Sequence, residues 1–388
     1  MKQRALDFLV CPIDKTQLEL REWETLPITL SREEMCRVER LGLAPTLFNK
    51  EIVSGVLVNR ARKIFYPIHN GIPRLLTFPT GVVSDFTKQN FNRISRELTG
   101  FTTPHETAMP GEETVLRTFS SEWLNYDWNE QSYWNLTAEG IYNCMEFLLD
   151  LVHRPVKDKL VLEIGIGIGG IADNMARKQQ CELVGIDLGY AVDAAHKHFG
   201  ENPFLHIIQA SAFAPPFRES TFDLVYSQGV LHHSFSTKGA FDKVCKLPKL
   251  GGRLYIWVYN PHSEKRTVIR RLIMLMERII RPVCWRLPES LQAITLLPIV
   301  PLYLIHQNLF VNRGTADYIN YGWREATHAA RDRFTPRYAH RHTEEEVCGW
   351  FCDAGYGEIQ CASKRELPNS APILLIAQET AVDGMRLK

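Results

Sequence analysis

Residues 160–170 read LVLEIGIGIGG, a largely apolar run that ends in closely spaced glycines. The run Leu160–Ile164 is typical of a strand buried on both faces of a parallel sheet. A helical pattern over residues 171–180 follows directly. Glycines between a strand and a helix let a ligand approach the backbone and expose the N–H groups that open the helix. The stretch therefore predicts an α/β fold with a ligand at this turn, although several nucleotide-binding folds share such glycines.

Two carboxylates flank the turn. Glu163 stands two residues before Gly165, where a phosphate ligand would gain nothing from a negative charge and a cationic ligand would. Residues 182–187, ELVGID, predict a second strand that ends in Asp187. This acid lies about 20 residues after the glycines, where a carboxylate can bind ribose hydroxyls. The two acids favour a ligand that carries both a ribose and positive charge.

Two later strands complete the pattern. Residues 220–233 read STFDLVYSQGVLHH, and residues 250–259 read LGGRLYIWVY, in which a glycine turn opens the strand. With the form E-x-G-x-G-x-G at residues 163–169, the chain resembles class I S-adenosylmethionine-dependent methyltransferases of the type 11 group. The resemblance implies a Rossmann-like α/β methyltransferase sheet and S-adenosylmethionine as cofactor.

The resemblance also implies a set of cofactor-binding residues. Ser211 stands where the family usually has an acid near the adenine, and a serine hydroxyl is a weaker, neutral acceptor. The aromatic lead-in segment resembles a helix that closes over the cofactor, although such clusters are also common in protein cores. The predicted set is Glu163, Gly165, Gly167, Gly169, Asp187, Ser211, Ala212, Phe213, Ser227, Gln228, Trp123 and Tyr126.

The first 80 residues predict a small β-rich domain, with an alternating strand at residues 51–58. Its two ends, LVCP at residues 9–12 and FYPIHNGIPRLL at residues 65–76, resemble a zinc-ribbon domain that accompanies certain methyltransferases. In that family four cysteines hold the metal. Here Cys11 remains, Asp14 replaces the second cysteine, and residues 58–65 contain neither Cys nor His. We predict a degenerate, metal-free ribbon used for packing or dimerisation.

The remaining organisation follows from helix signals. Residues 81–156 predict a helical lead-in, residues 157–260 with 343–380 the methyltransferase domain, and residues 261–342 a helical cap insertion. Thr343 and Glu346 predict a capping box that opens a helix at residues 344–354, followed by strands at 358–363 and 372–378. Residues 264–285 predict a basic amphipathic helix. Contact with a membrane surface, a cover over an apolar substrate pocket, and packing on the sheet or in a dimer interface stay open as its role.

Methyl transfer from a sulfonium requires an acceptor held in line and, for some acceptors, a base. His232 and His233 follow the fourth strand at the carboxyl edge of the sheet, where ligands bind in open α/β folds. We prefer His233 as the base and expect at least one of the pair to be structural. Arg333, Arg337 and Arg341 could bind a substrate phosphate or carboxylate, or lie on a solvated surface strand. The predicted substrate-binding residues are Tyr338, Arg337, His340 and Tyr321.

Composition limits the partners. Lys and Arg number 45 against 44 Asp and Glu, a net charge of +1, so a broad nucleic-acid surface is not expected. Nine cysteines without a C-x-x-C pair, and Pro12 and Asp14 within the N-terminal stretch, predict a cytoplasmic protein. The predicted acceptor is a small, partly apolar metabolite, natural-product intermediate or lipid-linked saccharide, methylated at O, N or C. The alternatives are a non-catalytic binding or scaffold protein and a tRNA-modifying methyltransferase.

Overall fold

The computed structural model describes residues 1–124, 132–133, 136–261, 268–306, 308–309, 322–362 and 380–386. The chain divides into two compact units. The first comprises residues 1–109, 156–225 and 242–252, and the second comprises residues 110–155, 226–241 and 253–388.

A small antiparallel sheet occupies the N-terminal part, as predicted. Its strands pair in the order β1-β2-β3-β4. Val56, Val58 and Phe65 point from β2 and β3 into a buried cluster with Phe86. The strands are β1 (Glu19–Pro27), β2 (Lys50–Asn59), β3 (Ile64–His69) and β4 (Ile72–Pro73), and α1 (Arg32–Arg40) lies between β1 and β2.

The main sheet has seven strands in the order β12-β13-β11-β10-β7-β8-β9. β7, β8 and β9 pair in parallel, whereas β13 runs antiparallel to both β11 and β12. This mixed sheet confirms the predicted Rossmann-like α/β fold. Its strands are β7 (Leu160–Ile164), β8 (Glu182–Asp187), β9 (Leu205–Gln209), β10 (Phe222–Gln228), β11 (Pro248–Val258), β12 (Tyr356–Cys361) and β13 (Thr380–Arg386). A separate short hairpin consists of β5 (Ser132–Tyr133) and β6 (Leu136–Thr137).

Helices flank these strands along the chain. Those before β11 are α2 (Gly81–Gln89), α3 (Phe91–Glu97), α4 (Glu112–Leu124), α5 (Ala138–Leu148), α6 (Gly170–Lys178), α7 (Ala191–Phe199) and α8 (Thr237–Val244). Those after β11 are α9 (Val268–Cys284), α10 (Glu289–Leu296), α11 (Val300–His306), α12 (Trp323–Phe334) and α13 (Glu344–Asp353). Cys284, Tyr303, Ala330 and Phe334 belong to one buried cluster, so α9, α11 and α12 pack on a common apolar core.

The C-terminal end departs from the prediction in the capping of its helix. The last described strand is β13, and the strand predicted at residues 372–378 lies outside the described residues and stays a prediction. α13 begins after Thr343, whose hydroxyl accepts the Glu346 N–H at 3.3 Å. The capping box is incomplete, because the Glu346 carboxylate binds the ring of His342 at 2.9 Å instead of returning to the N-cap backbone.

Within the first unit, the N-terminal domain covers the edge strand β9. The N–H of Leu75 donates to the carbonyl of Gln209 at 2.8 Å, and Arg74 forms a parallel bridge with the same residue. The Arg74 side chain is 1% exposed and donates to both carboxylate oxygens of Asp193, at 2.5 and 3.1 Å. Backbone groups that an open sheet edge would leave unpaired are therefore satisfied by the same chain.

Candidate functional site

The glycine-rich turn between β7 and α6 has a backbone that few other residues could adopt. Gly165, Gly167 and Gly169 have φ of 85°, 52° and 83°. Gly169 is the N-cap of α6, and a Cβ there would lie 2.9 Å from the Cβ of Ala195. The turn thus combines a left-handed backbone with a close neighbour behind it, which requires glycine and leaves the backbone open to a ligand.

Asp187 at the end of β8 holds this turn in place. Its carboxylate accepts the Gly167 N–H at 3.0 Å and the Gly189 N–H at 2.8 Å. Burial raises the pKa of Asp187, and the bonds from the backbone of Gly189 and Gly167 oppose the rise only in part. A half-buried carboxylate with spare acceptor capacity therefore stands beside the glycines, as a group that binds ribose hydroxyls requires.

Glu163 lies in β7, where it is 2% exposed and pairs in register with Gly185 of β8. A Cβ on Gly185 would come within 2.2 Å of the Ile166 side chain, so the turn packs directly on that glycine. A buried carboxylate next to an open backbone suits a ligand that brings its own positive charge. The glycines, Asp187 and Glu163 together fit the predicted cofactor.

The predicted adenine contacts lie in the loop after β9. Ser211 is 4% exposed, and its hydroxyl accepts the N–H of Phe213 at 3.0 Å. This bond forms a local turn. Ala212 and Phe213 are half-buried in the same loop.

The second unit contains the histidine pair, in a short helical turn at Leu231–His233. The Nδ1 of His233 lies 3.0 Å from the carbonyl oxygen of Tyr338. Because a carbonyl can only accept, Nδ1 carries the proton and Nε2 has a free lone pair. Nε2 lies 3.8 Å from Oδ1 of Asp332, whose Oδ2 accepts the hydroxyl of Tyr259 at 2.9 Å. Burial lowers the pKa of His233, whereas Asp332 raises it in part.

His232 is fully buried between two rings, with centroids 4.2 Å from His233 and 4.0 Å from Tyr259. Within the described part of the chain neither of its ring nitrogens has a hydrogen-bond partner. Burial, followed by the nearby charge of His233, lowers its pKa well below the ordinary value. His232 is therefore neutral at physiological pH, and its ring packs against those of His233 and Tyr259.

The predicted substrate-binding residues differ in their surroundings. Tyr338 stacks on His340 with centroids 5.7 Å apart, and His340 also contacts the carbonyl of Phe235 at 3.2 Å. The exposed Arg337 lies over the rings of Trp285 and Tyr338, at 4.9 and 5.1 Å. Tyr321, like the cofactor candidate Tyr126, lies outside the described residues.

Two further arginines of this segment are held by a buried acid. Glu277 is 3% exposed and pairs with Arg333 at 2.8 Å and Arg341 at 2.7 Å, in addition to Arg281 on its own helix. The segment after α12 is irregular and not a surface strand. Arg333 and Arg341 are thus engaged by Glu277, which leaves Arg337 as the arginine of the three that Glu277 does not hold.

Other predicted contacts are also placed. Ser227 is fully buried in β10, and Gln228 accepts the hydroxyl of Tyr255 at 2.9 Å. Trp123 packs edge-on against His328, with centroids 5.1 Å apart. Asp332 and Tyr259 were not predicted. Tyr259 immediately follows a strand at the carboxyl edge and could have been found by that rule, whereas Asp332 lies in a charged helix segment without a distinguishing signal.

The degenerate ribbon is closed by hydrogen bonds. Cys11 is buried with its sulfur 3.4 Å from the hydroxyl of Tyr66, and Asp14 accepts the side-chain amide of Asn59 at 3.0 Å. Bonds from Thr16 and Asn59 lower the pKa of Asp14 to about 2, against its burial. Over the described residues, no group of three or more His, Cys, Asp or Glu side chains could hold a metal ion.

The sheet order, its antiparallel β13 and the glycine turn that contacts Asp187 form a Rossmann-like α/β domain. In comparison with known families, residues 162–256 match the methyltransferase domain family, and residues 2–71 match the family of Trm112p-like proteins. The chain therefore joins an N-terminal region similar to Trm112p-like proteins to a region that matches the methyltransferase domain family.

Individual relatives are distant. Sterol 24-C-methyltransferase ERG6 of Saccharomyces cerevisiae is 29% identical over 120 residues, which are 29% of this chain and 31% of that protein. Phosphoethanolamine N-methyltransferase of Triticum aestivum is 32% identical over 128 residues, 32% of this chain and 25% of that protein. The matched region thus spans a third or less of these two relatives. A solved complex of the Haloferax volcanii Trm112 methyltransferase activator with a methyltransferase has a TM-score of 0.42 at 11% identity, covering 70% of this chain and 98% of that one.

Proposed function

We propose that this protein transfers the methyl group of S-adenosylmethionine to a small, partly apolar acceptor at oxygen, nitrogen or carbon. The observation that carries the proposal is the glycine turn, whose Gly167 N–H donates a hydrogen bond to the Asp187 carboxylate at the end of the neighbouring strand. The distant relatives support a small-molecule acceptor, because their names specify a sterol and phosphoethanolamine. A metabolite, a natural-product intermediate and a lipid-linked saccharide all fit this description.

The cofactor would supply a methyl group on a sulfonium, whose departure leaves a neutral thioether. The chain's own residues then have to bind, orient and exclude water. The glycine backbone lets a ligand approach closely, the Asp187 carboxylate accepts hydroxyl protons in hydrogen bonds, and the buried Glu163 carboxylate attracts a cation. We propose these roles for Glu163, Gly165, Gly167, Gly169 and Asp187, with Ser211, Ala212 and Phe213 near the adenine.

For an acceptor that must lose a proton, we propose His233 as the base. Its Nδ1–H is fixed on the carbonyl of Tyr338, so the free lone pair is on Nε2. Because burial lowers its pKa, the ring is neutral and able to accept at physiological pH. Asp332, 3.8 Å from Nε2, would stabilise the imidazolium that forms, and the Tyr259 hydroxyl orients Asp332. Tyr338, His340 and Arg337 are proposed acceptor contacts.

Titration of the full chain with S-adenosylmethionine by calorimetry tests the proposal. Saturable binding is expected for the wild type and none for Gly167→Asp, because φ there is 52° and a carboxylate would crowd the turn. Gly81→Asp is the matched control: Gly81 is exposed at the start of α2, with open space around its Cβ position. If the wild type fails to bind, or if Gly167→Asp binds like Gly81→Asp, the proposal is wrong.

The same titration distinguishes methyl transfer from a non-catalytic function. A non-catalytic binding or scaffold protein would not need to bind the cofactor at this turn. A tRNA-modifying role is suggested by the Trm112-like domain but not by the net charge of +1. Affinity for tRNA that falls steeply with salt would favour it. We further propose a cytoplasmic location, because all nine cysteines are free thiols, as in a reducing compartment.

A further inference from the structure

Helix α9 carries an apolar stripe that no described element covers. Residues spaced three or four apart lie on one face of a helix. The stripe consists of Val268, Leu272, Leu275, Ile279 and Val283, whose exposed fractions are 76%, 51%, 56%, 67% and 57%. On the other face, Cys284, with Met276 and Ile280, packs against the buried cluster it shares with α11 and α12. The stripe is therefore additional to the face that holds the helix on the protein.

The acidic residue of α9 lies on its buried face, whereas two of its arginines are exposed. Its acid Glu277 is 3% exposed and is neutralised by arginines. Arg271 and Arg278 are exposed, about a quarter turn from the stripe at 100° per residue. The outward surface of α9, over its described side chains, is thus apolar and cationic without an exposed acid. A long arginine beside an apolar stripe can place its stem on apolar surface and its charge in a polar layer.

The apolar surface continues past the end of α9. In α10, Leu291, Ile294 and Leu297 at its end are 46%, 66% and 57% exposed. At the connection between the two helices, residues 286–288 line a cavity of about 250 Å³ in the second unit, together with side chains of α4, α10 and α12. Its charged lining consists of Arg117, Arg286, Arg331 and Glu289, so cations are in excess by three to one. Among the described residues, Nε of Arg331 has no hydrogen-bond partner. A cavity of this size and charge fits a phosphate group.

The apolar stripe and the cationic cavity favour an anionic phospholipid surface over a second copy of the chain. A second copy of the chain would bring Arg271 and Arg278 toward their counterparts, which is unfavourable. An anionic phospholipid surface presents apolar chains, a polar boundary and negative phosphates in that order, which matches the stripe, the flanking arginines and the cavity. Of the described helices, none is long and apolar enough to cross a membrane. α9 therefore has the character of a helix that lies in the interface plane.

We propose that the surface formed by α9, α10 and the cavity at their connection, which we term the cap surface, binds anionic phospholipid bilayers, with a lipid phosphate in the cavity. This inference is independent of methyl transfer. The apolar stripe provides insertion into the headgroup and acyl-chain boundary, and the arginines provide preference for negative charge.

The test is sedimentation of the full-length chain with vesicles of phosphatidylcholine alone or with a third phosphatidylglycerol. Binding is expected to be at least about tenfold stronger with phosphatidylglycerol and to weaken as salt is raised. Leu275→Ser with Ile279→Ser is expected to lower binding by about tenfold or more. Phe91→Ser with Val152→Ser is the matched control, because those side chains are equally exposed elsewhere, at 64% and 72%, and it should bind like the wild type.

A second pair of substitutions tests the cavity. Arg117→Gln with Arg286→Gln should reduce binding to the charged vesicles but not the residual binding to phosphatidylcholine, and inorganic phosphate should compete at millimolar concentration. If Arg117→Gln with Arg286→Gln binds the charged vesicles like the wild type, the cavity does not bind a lipid phosphate. The proposal as a whole is overturned if neither vesicle binds, or if the stripe variant binds like its control. It is also overturned if light scattering shows that the stripe variant converts a dimer to a monomer. Unfolding midpoints and cofactor binding of all variants verify that they are folded.

Discussion

The clearest quantitative prediction concerns Asp187→Asn. The carboxylate accepts two backbone N–H groups, and in the proposed complex it would accept two ribose hydroxyls. A hydrogen bond to a charged group is worth about 1.5–3 kcal/mol and one between neutral groups about 0.5–1.5 kcal/mol. Replacing the carboxylate by a neutral amide should therefore cost about 1–1.5 kcal/mol for each hydroxyl, or about 2–3 kcal/mol for the pair. This corresponds to a rise in Kd of about 30- to 150-fold.

Stability in the absence of cofactor should respond differently. Because burial raises the pKa of Asp187, its ionised form is disfavoured in the folded protein, so at neutral pH the charge subtracts from stability. The amide removes that charge while weakening the two backbone bonds. These effects oppose each other, and we expect the free energy of unfolding to change by less than about 1 kcal/mol. A variant that binds weakly while staying folded would distinguish a ligand role from a structural one.

Calorimetric titration with S-adenosylmethionine and urea unfolding at pH 7 measure the two quantities. Asp85→Asn is the control, since it makes the same chemical change at a side chain that is 66% exposed. If Asp187→Asn binds within about threefold of the control, the ribose role is refuted. If instead the variant unfolds at markedly lower urea concentration, Asp187 serves mainly to hold the turn.

Three further predictions concern stability. Gly169→Ala should destabilise the protein by about 1–2 kcal/mol in urea unfolding, because φ of Gly169 is 83° and Ala195 lies close to the added Cβ. Gly349→Ala in α13, where the space around the Cβ position is open, should stabilise the protein by about 0.5–1 kcal/mol. Equal effects of the two substitutions would contradict the argument that Gly169 is required by backbone strain. Arg74→Met should cost about 1–3 kcal/mol, since Asp193 is 34% exposed and keeps some hydration, while Arg96→Met, 76% exposed, should change little. His232→Phe should flatten the pH dependence of the free energy of unfolding. Because the pKa of His232 is depressed in the folded protein, its contribution to stability is present above pH 6.5 and is lost below it by about 1.4 kcal/mol per pH unit. A variant whose free energy of unfolding varies with pH as steeply as that of the wild type would refute this.

The glycine turn was predictable because its signals are local. A buried strand, glycines at its end and a helix start occur within 20 residues, so periodicity and backbone preference suffice. The second strand with Asp187 followed from the same rules. The N-terminal sheet was predicted from alternation, and its pairing with β9 was not, because the partners of Arg74 lie 119 and 135 residues away.

The residues that surround His233 could not be predicted from local sequence signals. Asp332 lies between two arginines on α12, a pattern typical of a solvated helix face, and only the fold brings it to His233. Glu277 is likewise the sole acid of α9, and its burial among arginines was not predicted. Strand β13 at residues 380–386, TAVDGMR, was not predicted, because this segment is less apolar than residues 372–378, PILLIAQ. It joins the sheet through pairing with β11, in which Val382 lies opposite Ile256.

The pairing of Arg74 with Asp193 has a consequence for synthesis. Translation proceeds at about 5–20 residues per second, so the Arg74 guanidinium would emerge roughly 6–24 s before the carboxylate that it pairs with 119 residues later. During that interval the Arg74 side chain, which is 1% exposed in the finished protein, would lack the carboxylate that pairs with it. Shielding of this charge by a chaperone or by the ribosome itself would therefore matter most in this window, and a slowed ribosome between residues 74 and 193 would lengthen it.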